Sequence, residues 1–284
     1  MRIFAFVVVI ASSAVSRADT ATPTPTAACP QAADFEAKLA KAPKSVAAVR
    51  SQAVALDKLQ VAAAKGDEGD ACRVQLFDRY WSFYADVQVA LAEKLAALPE
   101  AARAQRLKAL APLGWHYEDS EAGAYIADGS DWLLVSAGKR LPADYREYLR
   151  LRLADLGGGF SEDATLNISW SALRRRLRDW EDFDRAHPNF EHGEEIRGYL
   201  GVYLSTLMTG MDNTPAFNRD TGRLEPELRV ELEAYAADPH ARNRTIVREY
   251  LALLKKSKLA WSDDIAEFVA VHDASMLGSE PPRN

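Results

Sequence analysis

The chain has 284 residues, with 35 Lys and Arg against 41 Asp and Glu, and a net charge of −6 with histidine neutral. Such a surface repels phosphate backbones and anionic headgroups, which sets nucleic acid and anionic lipid aside as partners. The length suffices for one substantial core or for two small ones.

Residues 1–18 read as an export signal. Arg2 gives a minimal positive start, residues 3–11 (IFAFVVVIA) are unbroken and apolar, and Ser16 and Ala18 stand at −3 and −1 of a cleavage site. That run is far short of the roughly 20 residues a helix needs to cross a bilayer. No later apolar run approaches that length, so no integral membrane segment is expected after processing. Processing removes Arg2 and Arg17, leaving 33 basic against 41 acidic residues, or −8. Residues 19–30 carry the polar, proline-bearing stretch DTATPTPTAA and are expected to form a disordered leader. Cys29 follows Thr26, Ala27 and Ala28 in a lipoprotein-like order, but lipid attachment needs the cysteine directly after the apolar run. The expected compartment is periplasmic or extracellular. Cys29 and Cys72, the two cysteines, are expected to form a disulfide there. A redox or metal-binding pair is the alternative, and no C-x-x-C spacing supports it.

Helical periodicity dominates from there on. A short helix around 35–39 is stopped by Pro43, and Ser45 caps an amphipathic run (Val46, Val49, Ala53, Leu56, Leu59) that ends in a turn at 66–69. Val74, Phe77, Tyr80, Trp81, Tyr84, Val87, Leu91 and Leu95 then recur at three- and four-residue steps, a long helix with one broad apolar face closed by Pro99. A helix over 101–110 ends at Pro112 and Gly114. Segment 115–129 (WHYEDSEAGAYIADG) breaks the pattern and has no clean period. Helices are expected near 131–137, 143–156, 164–186, 194–209, 225–236, 244–256 and 263–272. Residues 132–135 are the one stretch that could be a strand, and helix is preferred there. The fold class is all-α: about ten helices in antiparallel pairs, stacked as a solenoid in one variant. The natural division lies between 112 and 129, giving helical regions 31–112 and 113–284 or one continuous stack.

One echo runs through the second half. Arg146-Glu147-Tyr148-Leu149, Arg197-Gly198-Tyr199-Leu200 and Arg248-Glu249-Tyr250-Leu251 stand 51 residues apart, and His187-Pro188 and Asp238-Pro239 share that offset. Stacked helix–turn–helix units, as in tetratricopeptide-like arrays, would produce this. Reuse of Arg, Tyr and Leu by amphipathic helices, or a distant duplication, is the preferred explanation.

Candidate ligand-binding residues gather in two places. In the first, Glu118, Asp119, Glu121 and Asp128 lie among Trp115, His116, Tyr117, Tyr125 and Trp132. Carboxylates accept hydrogen bonds or move protons, and flat aromatic faces stack on sugars or peptide groups, so an envelope protein, peptide or glycan would suit them. Two carboxyls about 5 to 9 Å apart would also suit glycoside hydrolysis. The plain alternative is a surface loop with aromatic anchors and solvated acids. In the second, Asp212 and Asn213 occupy a loop between Gly210 and Pro215, where ordinary turn chemistry competes with ligand binding. Five histidines include the cluster His192 with Glu191, Glu194 and Glu195, yet none shows a tight zinc spacing. No nucleophile elbow, phosphate loop or other cofactor motif is present, and Gly157-Gly158-Gly159 reads as a helix break. The run Arg174-Arg175-Arg176 with Arg178 precedes Glu181, Asp182 and Asp184, the pattern of a salt-bridged helix face. A binding or interaction protein of the cell envelope is therefore the leading expectation. An envelope hydrolase using the carboxylates of 115–132 is the alternative, and an immunity-type inhibitor of an exported toxin the third.

Overall fold

The computed structural model describes residues 29–63, 65–120, 123–128, 131–156 and 159–276. Residues 1–18, expected as an export signal, residues 19–28 of the expected leader, and Glu121 lie outside these. Helix accounts for 68% of the described residues and strand for 9%, the strands forming only small hairpins, so the fold is all-α. Among the described residues no helix is long and apolar enough to cross a membrane. The chain divides into two compact units, with the boundary between Gly158 and Gly159.

The first unit is built around one long helix. Helices α1 (Pro30–Lys41) and α2 (Val46–Ala62) pack on α3 (Asp67–Ala96), and α4 (Glu100–Leu107) follows. Ser45 caps α2 by accepting from the Ala48 amide at 3.2 Å. Asp67 and Glu68, expected in the turn before α3, lie with Asp70 in its first turn at the positive end of the helix dipole, and Gly66 at φ 85° makes the turn. Val74, Phe77, Tyr80, Tyr84, Val87 and Leu95 are buried as the periodicity requires. Leu76 and Phe83 are buried too, because neighbours cover α3 on more than one side. Cys29 caps α1 and is bonded to Cys72 of α3 with Cα atoms 4.9 Å apart. The disulfide thus joins two packed helices, since α1 begins at Pro30, within the stretch 19–30 read as leader.

Segment 115–128 is a β-hairpin, not an irregular loop. Strands β1 (Trp115–Ser120) and β2 (Gly123–Asp128) are antiparallel with Trp115 opposite Asp128, Tyr117 opposite Ile126 and Glu118 opposite Tyr125. β2 packs on α3, which places the hairpin inside the first unit. A single π-helical turn (Leu133–Ala137) and helix α5 (Ala143–Leu156) complete that unit. Residues 132–135, the alternative strand, thus lie in and just before helical structure.

The second unit opens with β3 (Ser161–Glu162) and β4 (Thr165–Leu166), joined by Asp163 and Ala164 at φ 46° and 54°. That two-residue turn displaces the expected start of the next helix, so α6 spans Trp170–Ala186 behind a Ser169 cap. Helix α7 (Gly193–Thr209), the small hairpin β5 (Gly210–Met211) and β6 (Thr214–Pro215), and helices α8 (Pro226–Ala237), α9 (Arg244–Lys256) and α10 (Asp263–Met276) follow. α6 pairs with α7, α8 with α9, and α10 packs on α7 and α9. The two helix hairpins coincide at the 51-residue offset. One turn joins Ala186 to Gly193, the other Ala237 to Arg244. Phe190 donates to the His187 carbonyl at 3.0 Å and Ala241 to that of Asp238 at 3.3 Å, and Ile196 to His192 as Val247 to Asn243. The echo is therefore a repeated helix hairpin for its last two members. Tyr148 of the third member lies in α5, preceded by the π-helical turn instead of a full helix.

Candidate functional site

Strand alternation sorts the first candidate group onto two faces. Trp115, Tyr117 and Asp119 share the face of Asp128, Ile126 and Ala124, and this face meets α3. Trp115 and Asp128 are buried there, Asp128 at 4% exposure. The Tyr84 hydroxyl donates to Asp128 Oδ2 at 2.5 Å and accepts from the Trp115 indole N–H. Trp115 meets the Tyr84 ring edge-on at 4.9 Å, and Trp132 stacks on it at 6.1 Å with an interplanar angle of 10°. Burial pushes the Tyr84 hydroxyl far above an ordinary phenol, and the Asp128 charge adds to it; Tyr80 is raised by the same two causes. Trp115, Asp128 and Trp132 thus come together around a tyrosine of the long helix. The arrangement locks the hairpin to α3 and buries the carboxylate as a hydrogen-bond acceptor.

The remaining residues of this group lie outside that cluster. Glu118 and Tyr125 are cross-strand neighbours on the outer face and both are exposed, Tyr125 at 41%. Tyr117 is half-buried under the Arg103 guanidinium, whose carbon lies 5.2 Å from the ring centroid, and Arg103 also pairs with Asp119 at 3.3 Å. Glu118 and Asp128 stand on opposite faces of one hairpin, so they do not flank a common cleft. Asp212 and Asn213 are exposed in the turn between β5 and β6. Asn213 uses its amide N–H on the Ala164 carbonyl at 2.9 Å and its side chain on the Asp163 carbonyl at 2.7 Å, while Arg219 donates to the Asp212 carbonyl. These bonds hold the strained 163–164 turn, the structural role that turn chemistry supplies.

Two features escaped the reading of the sequence. Glu181 is not on a solvated face but 2% exposed: it accepts from the Tyr235 hydroxyl and the Arg242 amide (3.2 Å) and pairs with Arg178, which also binds Asp238 at 2.9 Å. The Arg242 amide and Asp238 contacts tie α6 to the turn between α8 and α9. Burial, then the Glu181 charge, raises the Tyr235 hydroxyl well above its ordinary value. Its signal was the i, i+3 spacing of Arg178 and Glu181.

The second feature is a shallow groove of about 500 Å³ between the π-helical turn and α5, lined by Leu134, Val135, Lys139, Arg146, Glu147 and Arg150. Gly138 lets the turn approach α5: a Cβ there would lie 2.9 Å from Leu149 Cδ2 and 3.1 Å from the Leu134 carbonyl. Arg140 and Lys139 bind Asp57 of α2 at 2.5 and 3.1 Å, and the Arg140 hydrogen bond leads in holding that carboxyl below its usual range. One wall of the groove is therefore clamped. Among the described residues no group of three or more His, Cys, Asp and Glu is placed to hold a metal ion. No protein family, curated protein or solved structure matches the chain.

Proposed function

We propose that this protein is an exported interaction module that engages an envelope or extracellular partner through the outer face of the β1–β2 hairpin. The observation that carries this reading is the pairing of Glu118 with Tyr125 on an exposed face whose reverse is locked to α3 by Tyr84, Trp115 and Asp128. A tyrosine held out of the core on a rigid hairpin loses little entropy on docking, which is why aromatic anchors dominate protein interfaces. Export is supported by the signal-like residues 1–18 and by the Cys29–Cys72 disulfide, which persists in an oxidising compartment. The periplasm or the extracellular space is the proposed location.

The test is a cross-linked pull-down of the processed protein from its native envelope, alongside the Tyr125→Ala and Glu118→Ala variants. One stoichiometric protein partner, lost from both variants, is the expected result. Recovery of glycan fragments or a small molecule in place of a protein would overturn the reading, as would a partner retained in full by both variants.

A further inference from the structure

We infer that the groove between the π-helical turn and α5 is a second docking site, and that it takes an extended acidic peptide of the pattern acid–apolar–acid. The two walls differ in chemistry. Arg146 and Arg150 stand one helical turn apart on α5, both exposed, and neither has an ion pair or a side-chain hydrogen bond among the described residues. The opposite wall offers Leu134 and Val135, the latter 54% exposed, with Lys139 at its end. Two unpaired guanidiniums beside exposed aliphatic surface, on a chain that is net acidic, call for a ligand that brings carboxylates and an apolar group together.

Geometry selects the form of that ligand. Residues four apart rise about 6 Å along a helix. Side chains two apart on an extended peptide project to one side about 6.6 to 6.8 Å apart, and the residue between them points the other way. Two acids would therefore meet Arg146 and Arg150 while the intervening apolar side chain covers Leu134 and Val135. Glu147 lies in the same lining, and the chain as a whole is acidic, so a dense polyanion is repelled where two spaced carboxylates are not. The Asp57 clamp holds the wall of the π-helical turn, and the close approach at Gly138 sets it against α5.

The experiment is selection of a displayed random dodecapeptide library on the processed protein, followed by anisotropy with the synthesised consensus peptide. The expected result is enrichment of acid–apolar–acid sequences, with affinity that falls about tenfold or more in R146Q/R150Q. It should be abolished in Val135→Glu and unchanged in Arg106→Gln, an exposed arginine on α4. All of these positions are exposed, so thermal melts that match the wild type separate lost binding from lost folding. Failure to enrich acidic sequences would overturn the inference. So would binding that survives R146Q/R150Q, or displacement by inorganic phosphate as effective as by free peptide. Peptides lost in Tyr125→Ala but kept in R146Q/R150Q would assign binding to the hairpin, leaving the proposed function standing and the groove without a role.

Discussion

Replacing Tyr84 by phenylalanine removes one oxygen to which two buried groups are hydrogen-bonded. Its hydroxyl donates to Asp128 Oδ2 at 2.5 Å and accepts the Trp115 indole proton. Loss of a bond to a charged acceptor costs about 1.5 to 3 kcal/mol, and a stranded indole N–H about 1 to 3 kcal/mol more. The ring keeps its packing against Trp115 and Trp132, so the cavity contribution is small. Together these give about 3 to 5 kcal/mol for Tyr84→Phe. Tyr80→Phe is the internal control: the same ring type in the same helix, with one hydroxyl bond to the Val49 carbonyl at 2.9 Å, and an expected cost of about 1 kcal/mol. Urea unfolding followed by tryptophan fluorescence, with hydrogen exchange of α3 and hairpin peptides to localise the change, should show the midpoint of Tyr84→Phe shifted by a molar or more at a slope of about 1 to 3 kcal/mol/M. Adding Asp128→Asn should cost less in the Tyr84→Phe background than in the wild type, because a neutral amide is cheaper than a carboxylate to bury without its donor. A Tyr84→Phe protein no less stable than Tyr80→Phe would refute the lock.

Burial raises the hydroxyls of Tyr80 and Tyr84 in the first unit, and of Tyr235 and Tyr250 in the second, far above the ordinary phenol value. The folded state keeps protons that the unfolded state releases above about pH 10, so stability is full below that pH and falls above it by about 1.4 kcal/mol per pH unit per tyrosine. Phenolate absorbance beyond the share of exposed tyrosines such as Tyr125 should therefore appear together with loss of far-ultraviolet dichroism; complete phenolate formation in a fully helical protein would contradict the burial. Cys29→Ser should lose about 4 kcal/mol if loop-closure entropy governs the 43-residue span, read as a lower midpoint that reducing agent reproduces in the wild type and leaves unchanged in the variant. Gly210→Ala should be far more damaging than Gly222→Ala. Both glycines have positive φ, 74° and 66°, but a Cβ at Gly210 would sit 2.3 Å from the Ala216 nitrogen, whereas the one at Gly222 meets open space. About 1 to 2 kcal/mol is expected at Gly222 and several more at Gly210, and comparable thermal midpoints would overturn this.

The helices were legible because burial on a helix repeats within three or four residues, so Phe77, Tyr80, Tyr84 and Val87 announce their face without reference to any partner. The hairpin was not, because polarity and burial run against each other in β2. Tyr125 is exposed and Asp128 buried, the reverse of what side-chain chemistry alone would assign. Tyr84, 44 residues earlier, hydrogen-bonds the buried carboxylate, and no local window contains both. The acidic-aromatic composition that marked 115–132 as a candidate site is thus two things at once: Trp115, Asp128 and Trp132 form the anchor, and Glu118 and Tyr125 form the exposed edge. The basic groove was hidden for a different reason. Leu134 and Val135 belong to the π-helical turn, Lys139 follows it, and Arg146 and Arg150 belong to the next helix, so their juxtaposition depends on the tight approach that Gly138 permits.

The 51-residue echo shows where a weak sequence signal carries structural weight. Its longest match, around Tyr148, Tyr199 and Tyr250, describes three buried tyrosines with different surroundings: the Tyr199 hydroxyl donates to Glu195 at 3.0 Å and that of Tyr250 to the Met208 carbonyl at 2.7 Å. Its shortest match, a proline in second place after a helix end, coincides with the turn geometry. Pro188 and Pro239 each follow the last helical carbonyls, lack the amide that would continue the helix, and lead into turns where the amides of Phe190, Gly193 and Ile196 bond as do those of Ala241, Arg244 and Val247. Proline acts on the backbone directly, whereas a tyrosine at a helix surface acts through whatever packs on it. A repeat is therefore better judged by its turn residues than by its helix residues. By that standard α6–α7 and α8–α9 are copies of one unit, and α5, which lacks the turn, is not a third.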